Sequence, residues 1–220
     1  MKRFFRDNGL SLVMFGLFVA FELGLSLVGR CHYNDERAEH GEHAVSYLGY
    51  LTSSAFLEAT MENWESEFFQ MFGYVFLTVF LFQRGSAESK SPDEPVAVDR
   101  DPRLSASKDD APWPVRKSGA ILVLYEYSLS IALFLLFAAS FFLHALSGAR
   151  LHSEQEMLHG GQPMSALAYL GSAQFWFESL QNWQSEFFSI AMMVVLSIFL
   201  RQRGSPESKP VDSPHHETGG

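Results

Sequence analysis

The chain of 220 residues is poor in cysteine and in positive charge, and both shortages limit what it can be. Its single cysteine, Cys31, excludes an internal disulfide framework and a cysteine-based zinc site. Lysine and arginine number 16 against 25 aspartates and glutamates, so no basic face is available to neutralise phosphates. We therefore expect no nucleic-acid partner.

Motifs for the common catalytic chemistries are also missing. The sequence has no glycine-rich phosphate loop, no Gly-x-Ser-x-Gly nucleophile turn and no His-Glu-x-x-His zinc motif. No nucleophile–base pair and no ligand set can be named from residue spacing. The sequence therefore predicts no enzyme, no catalytic residue, no cofactor and no assigned metal site.

Four long apolar segments, separated by strongly polar ones, are the main feature that is present. A helix needs about 20 apolar residues to cross about 30 Å of hydrocarbon. Four segments meet this length, and they span residues 9–28, 64–83, 127–146 and 183–202. We therefore expect an all-α membrane protein with four transmembrane helices.

Lysine and arginine are unevenly distributed around these segments, and this distribution sets the orientation. Thirteen of them precede the first segment, follow or flank the fourth, or lie between the second and third. Only Arg30, Arg37 and Arg150 lie on the opposite side. The pattern predicts a multi-pass protein of the cytoplasmic (inner) membrane with both termini in the cytoplasm. The acidic outer segments, residues 29–63 and 147–182, then face outward.

A cleaved signal peptide over residues 1–29 is the alternative for the first segment. The residues around Cys31 loosely resemble a lipoprotein cleavage box, but Arg30 immediately before the cysteine breaks that box. An apolar run of 20 residues is also long for a signal core. The third segment repeats the pattern far from the N-terminus, so we expect a membrane span here.

The sequence repeats itself with an offset of 119 residues. Residues 10–90 align with residues 129–209 without a gap, and 33 of the 81 positions are identical. The strongest shared blocks are Asn-Trp-x-Ser-Glu-Phe-Phe, at 63–69 and 182–188, and Gln-Arg-Gly-Ser-x-Glu-Ser-Lys, at 83–90 and 202–209. A tandem duplication of a two-helix unit explains this pattern. Because both units would enter the membrane in the same orientation, we expect a four-helix bundle around a pseudo-two-fold axis along the membrane normal.

The expected organisation has two membrane units, a linker and a tail. The two-helix units cover residues 1–85 and 118–203. The linker, 86–117, and the tail, 204–220, are polar and lack apolar periodicity, which predicts cytoplasmic disorder. Tyrosine and leucine at helical spacing in 46–51 and 165–170 predict short extracytoplasmic helices that cap the bundle.

Several motifs together carry a resemblance that covers essentially the whole chain. They are the opening Lys-Arg-Phe-Phe-Arg-Asp-Asn-Gly-Leu-Ser-Leu at 2–12, the two Asn-Trp-x-Ser-Glu-Phe blocks, and the two Arg-Gly-Ser-x-Glu-Ser-Lys ends. With these the chain resembles an uncharacterised bacterial family described as a domain of unknown function. The resemblance implies a multi-pass membrane protein and brings no known activity, substrate or catalytic residue.

The clearest candidate site is a polar stripe that includes Glu67 and Glu186 at equivalent positions of the two units. Ionisable residues at membrane depth usually face the bundle interior or a water-filled cavity. Helical spacing places eight polar residues along one face of the second and fourth helices: Asn63, Glu67, Gln70, Thr78, Asn182, Glu186, Ser189 and Ser197. The stripe is either a path for cations or protons, or a hydrogen-bond network that packs the helices together.

A second candidate is a buried pair formed by Glu22 and His144. They lie on equivalent helices at similar depth, where a carboxyl and an imidazole could relay protons. The same pair could also serve only to neutralise one buried charge. Neither residue recurs in the other unit, which weakens the functional interpretation.

Histidines on the outer segments form a third group of candidates. They are His32, His40, His43, His152 and His159, and His40-Gly41 matches His159-Gly160 in the repeat. With the nearby acids they could bind a divalent metal. No His-x3-His spacing or three-ligand set is apparent, so the sequence favours a solvated acidic surface and leaves metal binding open.

Three classes of function fit these features. A structural or partner-binding membrane component, in contact with the lipid bilayer and with itself or another membrane protein, explains all of them without a pathway. A small cation or proton channel or transporter that uses Glu67 and Glu186 is the alternative, although four spans leave a narrow bundle and no broken helix marks a midplane site. A membrane enzyme or metal/redox protein lacks a nameable site. The sequence therefore predicts the first class.

Overall fold

The computed structural model describes residues 2–219, which form helices and turns with no strand in that range. The prediction of an all-α protein is therefore confirmed. In chain order the α-helices are α1 (Lys2–Asp7), α2 (Gly9–Glu39), α3 (Tyr47–Leu51), α4 (Ser54–Leu77), α5 (Trp113–Lys117), α6 (Gly119–Glu126), α7 (Ser128–Leu158), α8 (Ala166–Leu170) and α9 (Ala173–Phe199).

Helices α2 and α7 are long and apolar enough to cross a membrane, and they are the two that meet this standard among the described residues. Each has 31 residues, and their most apolar windows have mean hydropathies of 2.1 and 2.3. Only 6% and 17% of those windows is buried. Most of the apolar surface of these two helices is therefore uncovered, which is compatible with a membrane span.

The predicted spans 64–83 and 183–202 fall largely on α4 and α9. Both helices begin well before the predicted spans, at Ser54 and Ala173, and they end at Leu77 and Phe199. After α4 the chain tightens into turns, because the amides of Val79 and Phe80 bond to carbonyls three residues back. The apolar segments therefore continue for a few residues beyond the helix ends.

The helices that start at Ser128, Ala166 and Ala173 each begin 119 residues after α2, α3 and α4. Residues shared at this offset explain the common bounds. Gly41 and Gly160 follow α2 and α7 with φ angles of +74° and +78°, which glycine adopts without strain. Ser46 and Ser165 then cap α3 and α8, since their hydroxyls accept backbone N–H groups three residues on.

Local structure is present in the predicted linker 86–117 and in the tail. The linker contains 3-10 turns at Ala97–Asp99 and Pro102–Ser105 as well as α5. In the tail, the buried ammonium of Lys209 donates to three backbone carbonyls within residues 214–217, at 2.8 to 3.1 Å. Burial lowers the pKa of Lys209, and the nearby charge of Arg201 lowers it further. Disorder of these segments in solution stays a prediction.

Contacts divide the chain into two units. The first unit contains residues 2–61 and 142–175, and the second contains residues 62–141 and 176–219. Helices α4, α7 and α9 contribute residues to both units. The outer ends of α2 and α7, together with α3 and α8, belong to the first unit.

Two buried tyrosines, Tyr50 in α3 and Tyr169 in α8, fix the short helices against the long ones in the first unit. A methyl group added at Gly29 would overlap the Tyr50 hydroxyl, and one at Gly148 would lie 2.5 Å from Cε1 of Tyr169. Each tyrosine also contacts the phenylalanine six residues later edge-to-face, with ring centroids 5.5 and 5.8 Å apart. Burial and the neighbouring Tyr33 raise the pKa of Tyr50.

The extended segment that returns from each long helix is clamped by one side chain. The Asn34 amide accepts from the Val45 backbone N–H at 2.8 Å and donates to the Val45 carbonyl at 3.3 Å. In the second half of the sequence the Ser153 hydroxyl accepts from the Met164 backbone N–H at 2.8 Å and donates to the Ala149 carbonyl at 2.6 Å, with the Met164 carbonyl 3.3 Å away. Both clamps satisfy backbone groups that have no helix or sheet partner.

We expect Gly29→Ala and Gly148→Ala each to lower the free energy of unfolding by about 1–3 kcal/mol, because the new methyl group overpacks a buried tyrosine. Gly24→Ala is the matched control in α2, since nothing lies within 4 Å of the added methyl group. Denaturant titration of the purified protein in detergent measures all three. Equal stability of Gly29→Ala and Gly24→Ala would show that the tyrosine contact does not hold α3 in place.

Candidate functional site

Three residues of the predicted polar stripe meet in the second unit. The Gln70 amide in α4 donates to the Glu186 backbone carbonyl at 2.9 Å and to the Ser189 hydroxyl at 3.2 Å in α9. The Ser189 hydroxyl donates in turn to the Glu186 carbonyl at 2.8 Å. These bonds join α4 to α9, and they engage the side-chain polar groups of both Gln70 and Ser189.

The two glutamates at equivalent positions of the repeat lie next to this contact along their helices. Glu67 lies within electrostatic range of Glu186, so the two negative charges repel. Glu67 belongs to α4 and Glu186 to α9, one turn before Gln70 and Ser189 respectively. The contacts therefore bring together Gln70, Glu186 and Ser189 of the eight stripe residues.

Two further glutamates of α4 accept hydrogen bonds from α9, and neither is among the site residues predicted from the sequence. The Glu62 carboxylate accepts from the side-chain amide of Asn182 at 2.6 Å. The Glu65 carboxylate accepts from the indole N–H of Trp183 at 3.1 Å, and Glu65 has no exposed surface. Glu65 occupies the variable position of the Asn-Trp-x-Ser-Glu block, where the other copy has glutamine. The sequence signal that could have indicated Glu65 is a polar residue at this position in both copies, next to a tryptophan that both copies share.

Two further members of the stripe, Asn63 and Thr78, take part in hydrogen bonds with residues three positions away. The Asn63 carbonyl accepts from the Ser66 hydroxyl at 2.8 Å. The Thr78 hydroxyl donates to the Val75 carbonyl at 3.0 Å. Back-bonding of this kind satisfies a hydroxyl within its own helix.

At the far end of the stripe, Ser197 contacts the start of the linker. Its hydroxyl lies 2.9 Å from the Ser86 hydroxyl and accepts the Ala87 amide at 3.2 Å. Ser86 has no exposed surface, and Ser197 is buried. This end of the stripe therefore finishes at a buried hydroxyl pair.

Aromatic packing surrounds the outer part of the stripe in the second unit. The Phe69 ring lies 4.6 Å from Trp183, 4.9 Å from Phe137 and 5.3 Å from Phe187 between centroids. Gly73 allows the close approach of Phe187, whose Cζ would lie 3.2 Å from an added methyl group. The surroundings of the Trp183–Glu65 bond are therefore apolar, which strengthens that hydrogen bond.

The predicted pair Glu22 and His144 takes partners on α4 in the first unit. The Thr60 hydroxyl donates to the Glu22 carboxylate at 3.4 Å. His144, which has no exposed surface, has its Nε2 atom 4.0 Å from Oε1 of Glu58. Residues two apart on a helix point about 200° apart. Glu22 and His144 therefore approach α4 from different sides.

The outer ends of α2 and α7 form an open cleft of about 650 Å³ in the first unit. Its acidic lining consists of Glu36, Glu39, Glu42, Glu154 and Glu156, with Arg37 as the basic residue among the lining side chains. Arg37 is paired with Glu42 at 3.0 Å. Three of the five outer histidines are close to the cleft, namely His40, His152 and His159.

The other two outer histidines are exposed near the same helix end. The His32 Nε2 atom lies 3.6 Å from the Glu36 carboxylate. The His43 backbone carbonyl accepts from the Arg37 guanidinium at 2.9 Å. Of the five histidines that the sequence grouped on the outer segments, three therefore line one cleft, and residue spacing alone could not separate these three from the other two.

Comparison with known proteins identifies one family. The family model described as a domain of unknown function (DUF6766) matches residues 1–220, the whole chain. No curated protein and no solved structure matches the sequence. The predicted resemblance to a family of unknown function is confirmed, and it brings no activity or site with it.

We expect Gln70→Leu to lower the free energy of unfolding by about 1–2 kcal/mol, because it removes two hydrogen bonds between α4 and α9. Met71→Leu is the control, since the neighbouring Met71 side chain is 43% exposed and this change preserves volume. Denaturant titration in detergent compares both with the wild type. A Gln70→Leu protein as stable as Met71→Leu would mean that these bonds do not hold the two helices together.

Proposed function

The chain belongs to the DUF6766 family, and we propose that this member is a structural or partner-binding component of a membrane. The bonding of the polar stripe carries the proposal. In the second unit Gln70, Glu186 and Ser189 are joined to one another through side-chain and backbone groups. Polar groups used in this way hold neighbouring helices together and need no transported ion.

We extend the proposal to the topology, with four spans formed by α2, α4, α7 and α9 in the inner membrane of a bacterium. The length and apolarity of α2 and α7 support it. The common offset of 119 residues between helix starts supports two repeated units of the same orientation. The excess of lysine and arginine on one side supports cytoplasmic termini.

The lipid bilayer is the first partner in this proposal, and a second copy or another membrane protein is the further one. Along α2 the side chains of Phe15 and Phe21 are 72% and 71% exposed. Burial of apolar surface yields about 25 cal/mol per Å² removed from water, so an uncovered helix of this kind is strongly drawn into hydrocarbon or onto another apolar helix.

A small channel or transporter for cations or protons is the second candidate. The placement of Glu67 and Glu186 at equivalent positions of α4 and α9 favours it, because acidic residues at membrane depth often mark ion or proton paths. The bonding of Gln70 next to this pair supports helix packing instead. The structural candidate predicts no ion flux, whereas the channel candidate predicts a flux that requires the two glutamates.

We expect purified protein in liposomes to show no proton or potassium flux above that of empty liposomes, with or without the double change Glu67→Gln and Glu186→Gln. Fluorescent pH and potassium indicators inside the vesicles measure the flux. Gramicidin added afterwards shows that the vesicles are sealed and report ions. A flux in the wild type that the double variant abolishes would support the channel and contradict the structural function.

The single cysteine allows a direct test of the orientation. Cys31 is exposed near the outer part of α2, so we expect a membrane-impermeant maleimide to label it in intact spheroplasts. Ser107→Cys in a Cys31→Ser background is the matched control, because Ser107 is an exposed residue of the linker and should react only after permeabilisation. The reverse labelling pattern would contradict cytoplasmic termini.

A further inference from the structure

Two repeat-related histidines meet in the outer cleft of the first unit. His40 immediately follows α2 and His159 immediately follows α7, and they occupy the same position of the repeat. Their ring centroids lie 5.6 Å apart with the ring planes at 88°. Each is followed by a glycine with a positive φ angle, so both helix ends present the imidazole in the same way.

The hydrogen bonds of the two rings place the proton on the same nitrogen, Nδ1, in each ring. His40 Nδ1 lies 2.8 Å from the Glu36 carbonyl, and His159 Nδ1 lies 3.0 Å from the Gln155 carbonyl. A carbonyl oxygen only accepts, so each Nδ1 carries the hydrogen and donates it. In a neutral ring, Nε2 then holds the lone pair. A backbone carbonyl that fixes Nδ1–H in this way is the usual second partner of metal-binding histidines.

The ring separation suits one shared ion. With zinc–nitrogen bonds of about 2.0–2.1 Å and tetrahedral angles, the centroids of two coordinating imidazoles lie about 5 Å apart. The observed separation of 5.6 Å is close to this distance. The separation of the two rings is therefore compatible with coordination of one ion by both.

The charges around the two rings attract cations. Five glutamates line the cleft, and its arginine is already paired with one of them. A cleft dominated by one sign of charge concentrates ions of the opposite sign. Imidazole nitrogen with carboxylate or water oxygen is a donor set that suits zinc and the neighbouring divalent transition metals.

We propose that His40 and His159 bind one divalent transition-metal ion of the zinc class through their Nε2 atoms, with cleft glutamates or water in the remaining positions. The ion would join the ends of α2 and α7. This goes beyond the proposed structural function, because it assigns a ligand to the outer surface and does not depend on the topology or on the partner.

Isothermal titration with zinc chloride tests the proposal on full-length protein in detergent, purified without a polyhistidine tag and with Cys31→Ser to exclude thiolate binding. We expect one zinc ion per chain. His40→Gln and His159→Gln should each weaken binding at least tenfold, and the double variant should lose the site. His32→Gln and His43→Gln are the matched controls and should bind like the background protein.

Zinc-dependent stability gives a second measurement that does not rely on the titration heats. Because a bound ion stabilises the folded state by mass action, zinc should raise the melting temperature of the background protein but not that of the double variant. The melting temperature without zinc shows that each variant is folded. Unchanged zinc affinity in the double variant, or equal loss in the His32→Gln control, would overturn the proposal.

Discussion

The contact of a buried tyrosine with a helix glycine determines the outer part of the molecule. Tyr50 and Tyr169 lie where any larger residue at Gly29 or Gly148 would collide with them. This contact holds α3 and α8 against the long helices a few residues before α4 and α9 begin. The ends of α2 and α7, which carry the histidines and glutamates of the cleft, belong to the same unit as α3 and α8. The cleft therefore depends on two glycines that do not line it.

Much of the helical framework could be predicted from sequence, because apolar runs and the 119-residue offset report directly on local structure. The predicted stripe also contains residues that meet, such as Gln70 and Ser189. The partners of the other acids could not be predicted in the same way. Glu65 bonds to Trp183 across two helices, and Glu22 and His144 approach α4 from different sides. Such pairings depend on helix rotation, which spacing along one helix does not determine.

The two halves of the chain share more structural contacts than their sequence identity indicates. Position 34 is asparagine and the equivalent position 153 is serine, yet both side chains accept a backbone N–H of the returning segment, from Val45 and Met164. A short side chain with an acceptor oxygen is sufficient, so different residues satisfy one constraint. By contrast, His40 and His159 are identical although both are exposed, where packing places few demands on residue type.

The bonding of Lys209 has a consequence for how the C-terminal segment can evolve. Its ammonium is held by main-chain oxygens of Pro214, His215 and Glu217, and every amino acid supplies such an oxygen. Substitutions among those three residues therefore leave the anchor intact as long as the path of the chain is kept. Drift in this segment can therefore erase much of its recognisable sequence while these bonds to Lys209 are kept, so the lysine is a useful position at which to align relatives of this protein.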